Sequence, residues 1–209
     1  MKIQPFERHT QKYENWFKMN KFAYRSEVKA IQRIFPKSCT KAVEIGVGSG
    51  RFASPLDIRI GLDPSEKMLT LARKRGIRII IGIGEEIPFI DDCFDCVLMI
   101  TTICFLDNIE AAFKEIHRIL KPNGYFINGF VDKNSKLGEI YQTHKHENVF
   151  YKFATFYSVG KIIEILHKSN FHDFEFAQTI FHDLPKITTT EKVERGYGKG
   201  SFVVIKAKK

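Results

Sequence analysis

Apolar and aromatic side chains recur at helical spacing through the first 35 residues (Tyr13, Trp16, Phe17, then Phe22, Tyr24, Val28, Ile31, Ile34), and Pro36 stops the pattern. Two helices are expected there, ahead of the first strand. The period then shortens. Ala42, Val43 and Ile45 form an apolar run suited to a buried parallel strand, and similar runs follow at 58–62, 77–81, 95–100 and 125–131. Between them, Ser65 opens a capped helix with Met68, Leu69, Leu71 and Ala72 on its inner face and Gly76 as its stop. Residues 108–120 read as an amphipathic helix with Ile109, Ala112, Phe113, Ile116, Ile119 and Leu120 on one face. Strands alternating with helices predict a parallel sheet with right-handed crossovers. Two later runs, 171–180 and 201–207, are joined without a clear helix and predict an antiparallel pair at the sheet edge. The expected fold is therefore α/β and doubly wound: a seven-stranded, mostly parallel sheet with an antiparallel last hairpin and a helical N-terminal extension. Segment 132–157, polar at first and then aromatic (Phe150, Tyr151, Phe153, Phe156, Tyr157), gives no regular element.

Composition narrows the class without fixing it. At 209 residues the chain suits one domain with a sizeable core. No apolar run is long enough to cross a bilayer and Met1 to Pro5 do not begin a signal peptide, so a cytoplasmic protein is expected. The net charge of +9, from 33 Lys and Arg against 24 Asp and Glu, admits an anionic partner such as RNA. The basic residues are scattered, however, rather than drawn into one stripe with interleaved aromatics. Four cysteines (Cys39, Cys93, Cys96, Cys104) suit reduced structural thiols. Cys93 and Cys96 are spaced as C-x-x-C but lead into a strand, and no second pair completes a tetrahedral site, so no metal is expected.

The chemistry gathers at the ends of the predicted strands. Val43-Glu44-Ile45-Gly46-Val47-Gly48-Ser49-Gly50 carries alternating glycines after an apolar run, which lets the chain turn tightly into the next segment while its backbone approaches a ligand. Arg51 stands where a dinucleotide fingerprint requires its third glycine, which argues against NAD. About a dozen residues later, Ile58-Arg59-Ile60-Gly61-Leu62 closes on Asp63, a carboxylate where doubly wound folds place a ribose ligand. The connection between loop and acid is shorter than an ordinary crossover and includes Pro55. Gly82-Ile83-Gly84-Glu85-Glu86-Ile87-Pro88-Phe89 then precedes the fourth strand, and Leu120-Lys121-Pro122-Asn123-Gly124-Tyr125 follows the amphipathic helix.

Over residues 41–131 this ordered series resembles the class I, Rossmann-like S-adenosylmethionine-dependent methyltransferases. The resemblance implies a single domain over 1–209, with a helical lid at 1–38, a cofactor-binding core at 39–131, and an acceptor-side insertion with C-terminal strands at 132–209. It implies Glu44 near the methionine end of S-adenosylmethionine, Gly46 and Gly48 close to the same moiety, and Asp63 on the ribose. Met68 is placed to pack on adenine, with Gly84 and Glu85 beside it, and Ile100 and Thr101 close the site at the end of the fourth strand. Many members have Asp where this chain has Ile83. Bland roles stand beside these: Glu44 and Asp63 as helix caps, Met68 as core, Glu85 as a solvated loop residue.

The sulfonium cofactor brings its own leaving group, so no catalytic triad is needed. Candidates for a general base are Tyr13, His144 and His146, with Glu147 and Tyr24 behind them; His144-Lys145-His146 also reads as a solvated polar stretch. Thr101-Thr102-Ile103-Cys104-Phe105 lacks both the Asn/Asp-Pro-Pro-aromatic signature of nucleobase amine methylation and the Pro-Cys of DNA cytosine C5 methylation. The expected activity is methyl transfer to an O or N atom of a small-molecule acceptor, a small amine among them, releasing S-adenosylhomocysteine from a monomer or homodimer. The alternatives are a tRNA or rRNA methyltransferase, a non-catalytic S-adenosylmethionine-binding subunit, and an NAD-dependent oxidoreductase.

Overall fold

The computed structural model describes residues 3–209; Met1 and Lys2, at the start of the expected lid, lie outside them. Five parallel strands form the core of the sheet: β1 (Ala42–Ile45), β2 (Ile60–Asp63), β3 (Arg78–Ile81), β4 (Phe94–Ile100) and β5 (Leu120–Val131). The sequence then adds β6 (His172–Thr179), β7 (Glu194–Arg195) and β8 (Phe202–Lys208), all in antiparallel pairings, to give the order β3-β2-β1-β4-β5-β8-β6-β7. The chain thus reverses its winding between β1 and β4, and the carboxyl ends of those strands open the crevice where such sheets bind ligands. The predicted last hairpin forms, but β8 lies inside the sheet between β5 and β6 rather than at its edge. The sheet has eight strands rather than seven because the two-residue β7 caps β6.

Three helices, not two, precede β1: α1 (Gln4–Arg8), α2 (Thr10–Met19) and α3 (Lys21–Ile34), broken at His9 and Asn20. Next come α4 (Glu66–Lys74) and α5 (Ile109–Ile119), started by the side chains of Ser65 and Asn108, which accept from the amides of Met68 and Ala111. Two further helices, α6 (Lys136–Thr143) and α7 (Val159–Lys168), were not expected. Each starts on a serine cap, Ser135 or Ser158, and each is short, so its periodicity is easily lost among aromatic neighbours. The short first crossover is as predicted, reduced to a 3₁₀ turn at Ser54–Leu56.

One face of the sheet packs Phe113, Ile116, Ile162 and Leu166 of α5 and α7 against Val97, Phe126 and Ile205. The other packs Phe17, Ile31, Leu69 and Leu137 of α2, α3, α4 and α6 against Val47, Leu98 and Ile127. At about 25 cal/mol per Å² these two layers provide the main driving force for folding. The expectation of four reduced thiols is corrected at one pair: Cys39 and Cys96 form a disulfide with their Cα atoms 5.6 Å apart. The cause is register. Ala42 pairs with Cys96 across β1 and β4, which brings the segment preceding β1 alongside Cys96. No described helix is long and apolar enough to cross a membrane.

Candidate active site

The glycine loop leaves β1 and is fastened at once to the end of β2, where the amides of Gly46 and Val47 donate to the carbonyl of Leu62 at 2.7 and 3.0 Å. Gly46 has φ +72°, and a Cβ built on it would stand 2.3 Å from Cγ2 of Thr102, so both its conformation and the close approach of the segment after β4 exclude a side chain. Gly48, at φ +51°, presents its amide to Asp63, whose Oδ2 accepts at 2.9 Å while Oδ1 accepts from the amide of Ser65 at 2.8 Å. Burial raises the pKa of the Asp63 carboxyl to about 6, an effect that these two amides oppose and nearby Glu7 reinforces. Thr101, after β4, holds φ at 51°, which is costly for a β-branched residue and places strain at the mouth of the site.

These elements enclose a cavity of about 320 Å³. Among the residues singled out from the sequence, Gly46, Gly48, Asp63, Met68, Gly84, Glu85, Ile100, Thr101 and Tyr13 all line it. Glu44 does not. It lies on β1 just ahead of the loop, 1% exposed, with the amide of Ala53 donating to its carboxylate and Oε2 without a hydrogen-bond partner among the described residues. Burial above all raises its pKa well beyond the carboxylate range. Glu44 is thus a buried acid behind the glycine loop rather than part of the cavity wall. Glu85 also has a structural role, since its Oε1 accepts from the amides of Asp107 and Asn108 at 2.8 and 3.2 Å and fixes the turn before α5. Ile83, where many similar chains carry Asp, lines the cavity with 43% of its surface exposed.

The N-terminal helices are fastened to this loop by a network that sequence reasoning did not anticipate. Glu14 of α2 accepts from Ser49 Oγ at 2.5 Å, from Arg51 Nη2 at 2.5 Å and from Arg75 Nη2 at 2.7 Å. Arg75 also donates to the Ser49 carbonyl, and the Tyr24 hydroxyl donates to that of Arg51. On α1, Glu7 accepts from Ser65 Oγ at 2.5 Å. Arg51, notable in the sequence only as a missing glycine, is a clasp between the loop and α2.

A second cavity, of about 400 Å³, adjoins the first, and Phe6, Tyr13, Thr101 and Phe105 line both. Its own walls are strongly aromatic: Trp16 and Phe17 from α2, Phe52, Tyr141 from α6, and Phe150 and Tyr151 from the segment that gave no prediction. Phe105 and Tyr151 stack at an interplanar angle of 8°, and Tyr141 lies 4.8 Å from Tyr151, centroid to centroid. Burial, then the nearby carboxylates Glu44 and Asp63, push the Tyr13 phenol far above its ordinary pKa, so at neutral pH it is a hydrogen-bonding hydroxyl and not a phenolate base. His144 and His146 border neither cavity. His144 is 59% exposed with Nδ1 at 3.3 Å from Glu147, and His146 is exposed, which matches the solvated reading of that stretch. The second cavity also contains an acid the sequence reading passed over, Glu27 of α3. Its signal was present: Glu27 interrupts the apolar stripe Ala23, Ala30, Ile31 and Ile34.

Comparison with known proteins agrees with this architecture. Residues 43–128 match the methyltransferase-domain family model. The crystal structure of a Thermotoga maritima S-adenosylmethionine-dependent methyltransferase, described as a possible histamine N-methyltransferase, superposes with a TM-score of 0.96 at 46% identity, covering 99% of both chains. An uncharacterised protein of Methanocaldococcus jannaschii is 42% identical over 98% of each chain. The demethylmenaquinone methyltransferase of Chlorobaculum tepidum is 30% identical over 56% of this chain and 52% of its own. A strand-end glycine cradle, an acid at the end of β2 and close likeness to a full-length solved relative place the chain among the S-adenosylmethionine-dependent methyltransferases.

Proposed function

We propose that the enzyme transfers a methyl group to an O or N atom of a small molecule bound in the second cavity. The observation that carries this reading is the pairing of two adjoining cavities through a shared wall of Phe6, Tyr13, Thr101 and Phe105. The first would hold the cofactor, with Asp63 on the ribose, Gly46 and Gly48 under the methionine portion, Met68, Gly84 and Glu85 around the adenine, and Ile100 and Thr101 closing the site at the end of β4. Glu44 would act only from behind the loop, where a cationic cofactor in the first cavity would favour its ionised form. The bound cofactor supplies an electrophilic methyl group on a sulfonium, so the chain need supply neither nucleophile nor metal.

What the side chains contribute is position and exclusion of water. The shared wall orients the acceptor atom toward the first cavity, and such alignment alone is worth up to about 7–11 kcal/mol of barrier. Residues 3–38 serve as a lid, and the aromatic rings they bring, with those of 132–157, make much of the second cavity's wall apolar. A cavity of about 400 Å³ walled by helices and rings favours a small molecule over a nucleic acid, which needs an open, basic groove. The same-length relative described as a possible histamine N-methyltransferase supports a small acceptor as well. The test is transfer of label from methyl-tritiated S-adenosylmethionine to panels of amines, hydroxylated metabolites and quinols, with bulk tRNA and rRNA in parallel. Label in a small-molecule fraction is expected; label in RNA alone would overturn the assignment.

A further inference from the structure

We infer that Glu27 is the specificity-determining counter-ion for the acceptor, and that the acceptor is a small molecule with a protonated amine at one end and its methylated atom at the other. This rests on the second cavity being the acceptor site.

Glu27 lines that cavity and is only 4% exposed, yet no described residue offers its carboxyl a hydrogen bond or an ion pair. The titratable groups whose fields it shares are the phenols of Tyr24, Tyr141 and Tyr151, all raised by burial and so uncharged at neutral pH. Lys12 of α2 borders the same cavity but makes no salt bridge with Glu27. Burial alone therefore lifts the carboxyl pKa to about 8, so the group is largely protonated near neutrality unless a cation meets it.

A buried acid with no partner among the described residues is a cost to the fold. An ammonium group removes that cost, because it supplies the missing donors and opposite charge together. The surrounding rings of Trp16, Tyr141 and Tyr151 offer faces for the same cation. A neutral acceptor could exchange hydrogen bonds with the protonated carboxyl but brings no opposite charge, and an anion would disfavour its ionisation.

Glu27 also fixes which end of the acceptor reacts. It lines the second cavity but is not one of the residues shared with the first, so a group held by it leaves the wall of Phe6, Tyr13, Thr101 and Phe105 to the rest of the acceptor. A nitrogen kept protonated by an ion pair has no free lone pair and cannot attack a methyl group. The atom methylated is then a second nucleophile, a ring nitrogen or a hydroxyl, reaching back to the shared wall.

The experiment is calorimetric binding of histamine and tyramine, each beside the neutral alcohol in which a hydroxyl replaces the amine, to protein saturated with S-adenosylhomocysteine. Wild type is expected to bind at least one amine about tenfold or more tighter than its alcohol. Glu27→Gln is expected to erase that preference while binding S-adenosylhomocysteine unchanged. Equal affinity for amine and alcohol, retention of the preference in Glu27→Gln, or no amine binding by cofactor-loaded protein overturns the inference and leaves the methyltransferase reading standing. Failure of wild type to bind S-adenosylhomocysteine removes that reading and this inference with it. The wild-type comparison stands by itself if the variant does not fold.

Discussion

The two cavities are built in opposite ways. The first is a product of backbone: its floor is the glycine loop, its walls are strand ends, and its key contacts are amides of Gly46, Val47, Gly48 and Ser65 meeting a carbonyl or Asp63. The second is a product of side chains, contributed by α2, α3, α6 and segment 148–151, which lie far apart in the chain. Backbone geometry tolerates little change, whereas a wall of rings can be resized without disturbing the sheet. Such a division lets one part of a protein keep a constant cofactor while the other fits a particular acceptor.

Changes in the two regions should therefore separate. The largest effect is expected from Gly46→Ala. A methyl group there meets Thr102 and sits at positive φ, so the variant should lose about 2–4 kcal/mol of stability in chemical unfolding and bind S-adenosylhomocysteine poorly at any concentration that leaves it folded. Unaltered affinity would show that the loop does not cradle the ligand.

Glu14→Gln probes the clasp between the regions. Burial tends to raise the Glu14 pKa, but hydrogen bonds from Arg51 and Ser49, together with Arg75, outweigh it and hold the carboxyl below the usual range. Its contribution to stability is therefore complete above the unfolded glutamate pKa and is lost as pH falls through the lower folded value. Substitution should cost about 2 kcal/mol at pH 7, with the gap between wild type and variant closing in acid. A gap that stays constant across an acid unfolding series would mean that the charge on Glu14 contributes nothing.

Trp16→Ala should give the smallest effect and the cleanest separation. Acceptor KM is expected to rise about tenfold from lost apolar contact, with affinity for S-adenosylhomocysteine within about twofold of wild type. Equal losses on both sides would mean that the cavities are a single site.

The same contrast explains what could be read from the sequence. The strands, the capped helices α4 and α5, the short crossover and the acid at the end of β2 were legible because each is set by local period or by residues a few positions apart. Nine of the site residues named from the sequence converge on the first cavity for the same reason. The second cavity was not legible, because it depends on which distant rings meet. Phe150 and Tyr151 were recognised as an aromatic run, but nothing local revealed that they share a cavity with Trp16 and Phe105. Glu27 and Glu14 interrupt apolar faces, but a single charged residue in a helix carries no local sign of whether it is buried or solvated. His144 and His146 drew notice by residue type alone, and exposed positions outside both cavities are where such a signal often leads. The disulfide between Cys39 and Cys96 could not be foreseen, because it follows from the register of β1 on β4.

The central claim is that the first cavity holds the methyl donor through Asp63. Isothermal titration of wild type and Asp63→Ala with S-adenosylhomocysteine, and with NAD as control, tests it most directly. The account predicts binding by wild type, no binding of NAD, and affinity about 100-fold or more weaker in the folded variant, because two ribose hydroxyls lose a charged acceptor. Equal affinity in wild type and variant, or preference for NAD, would contradict it.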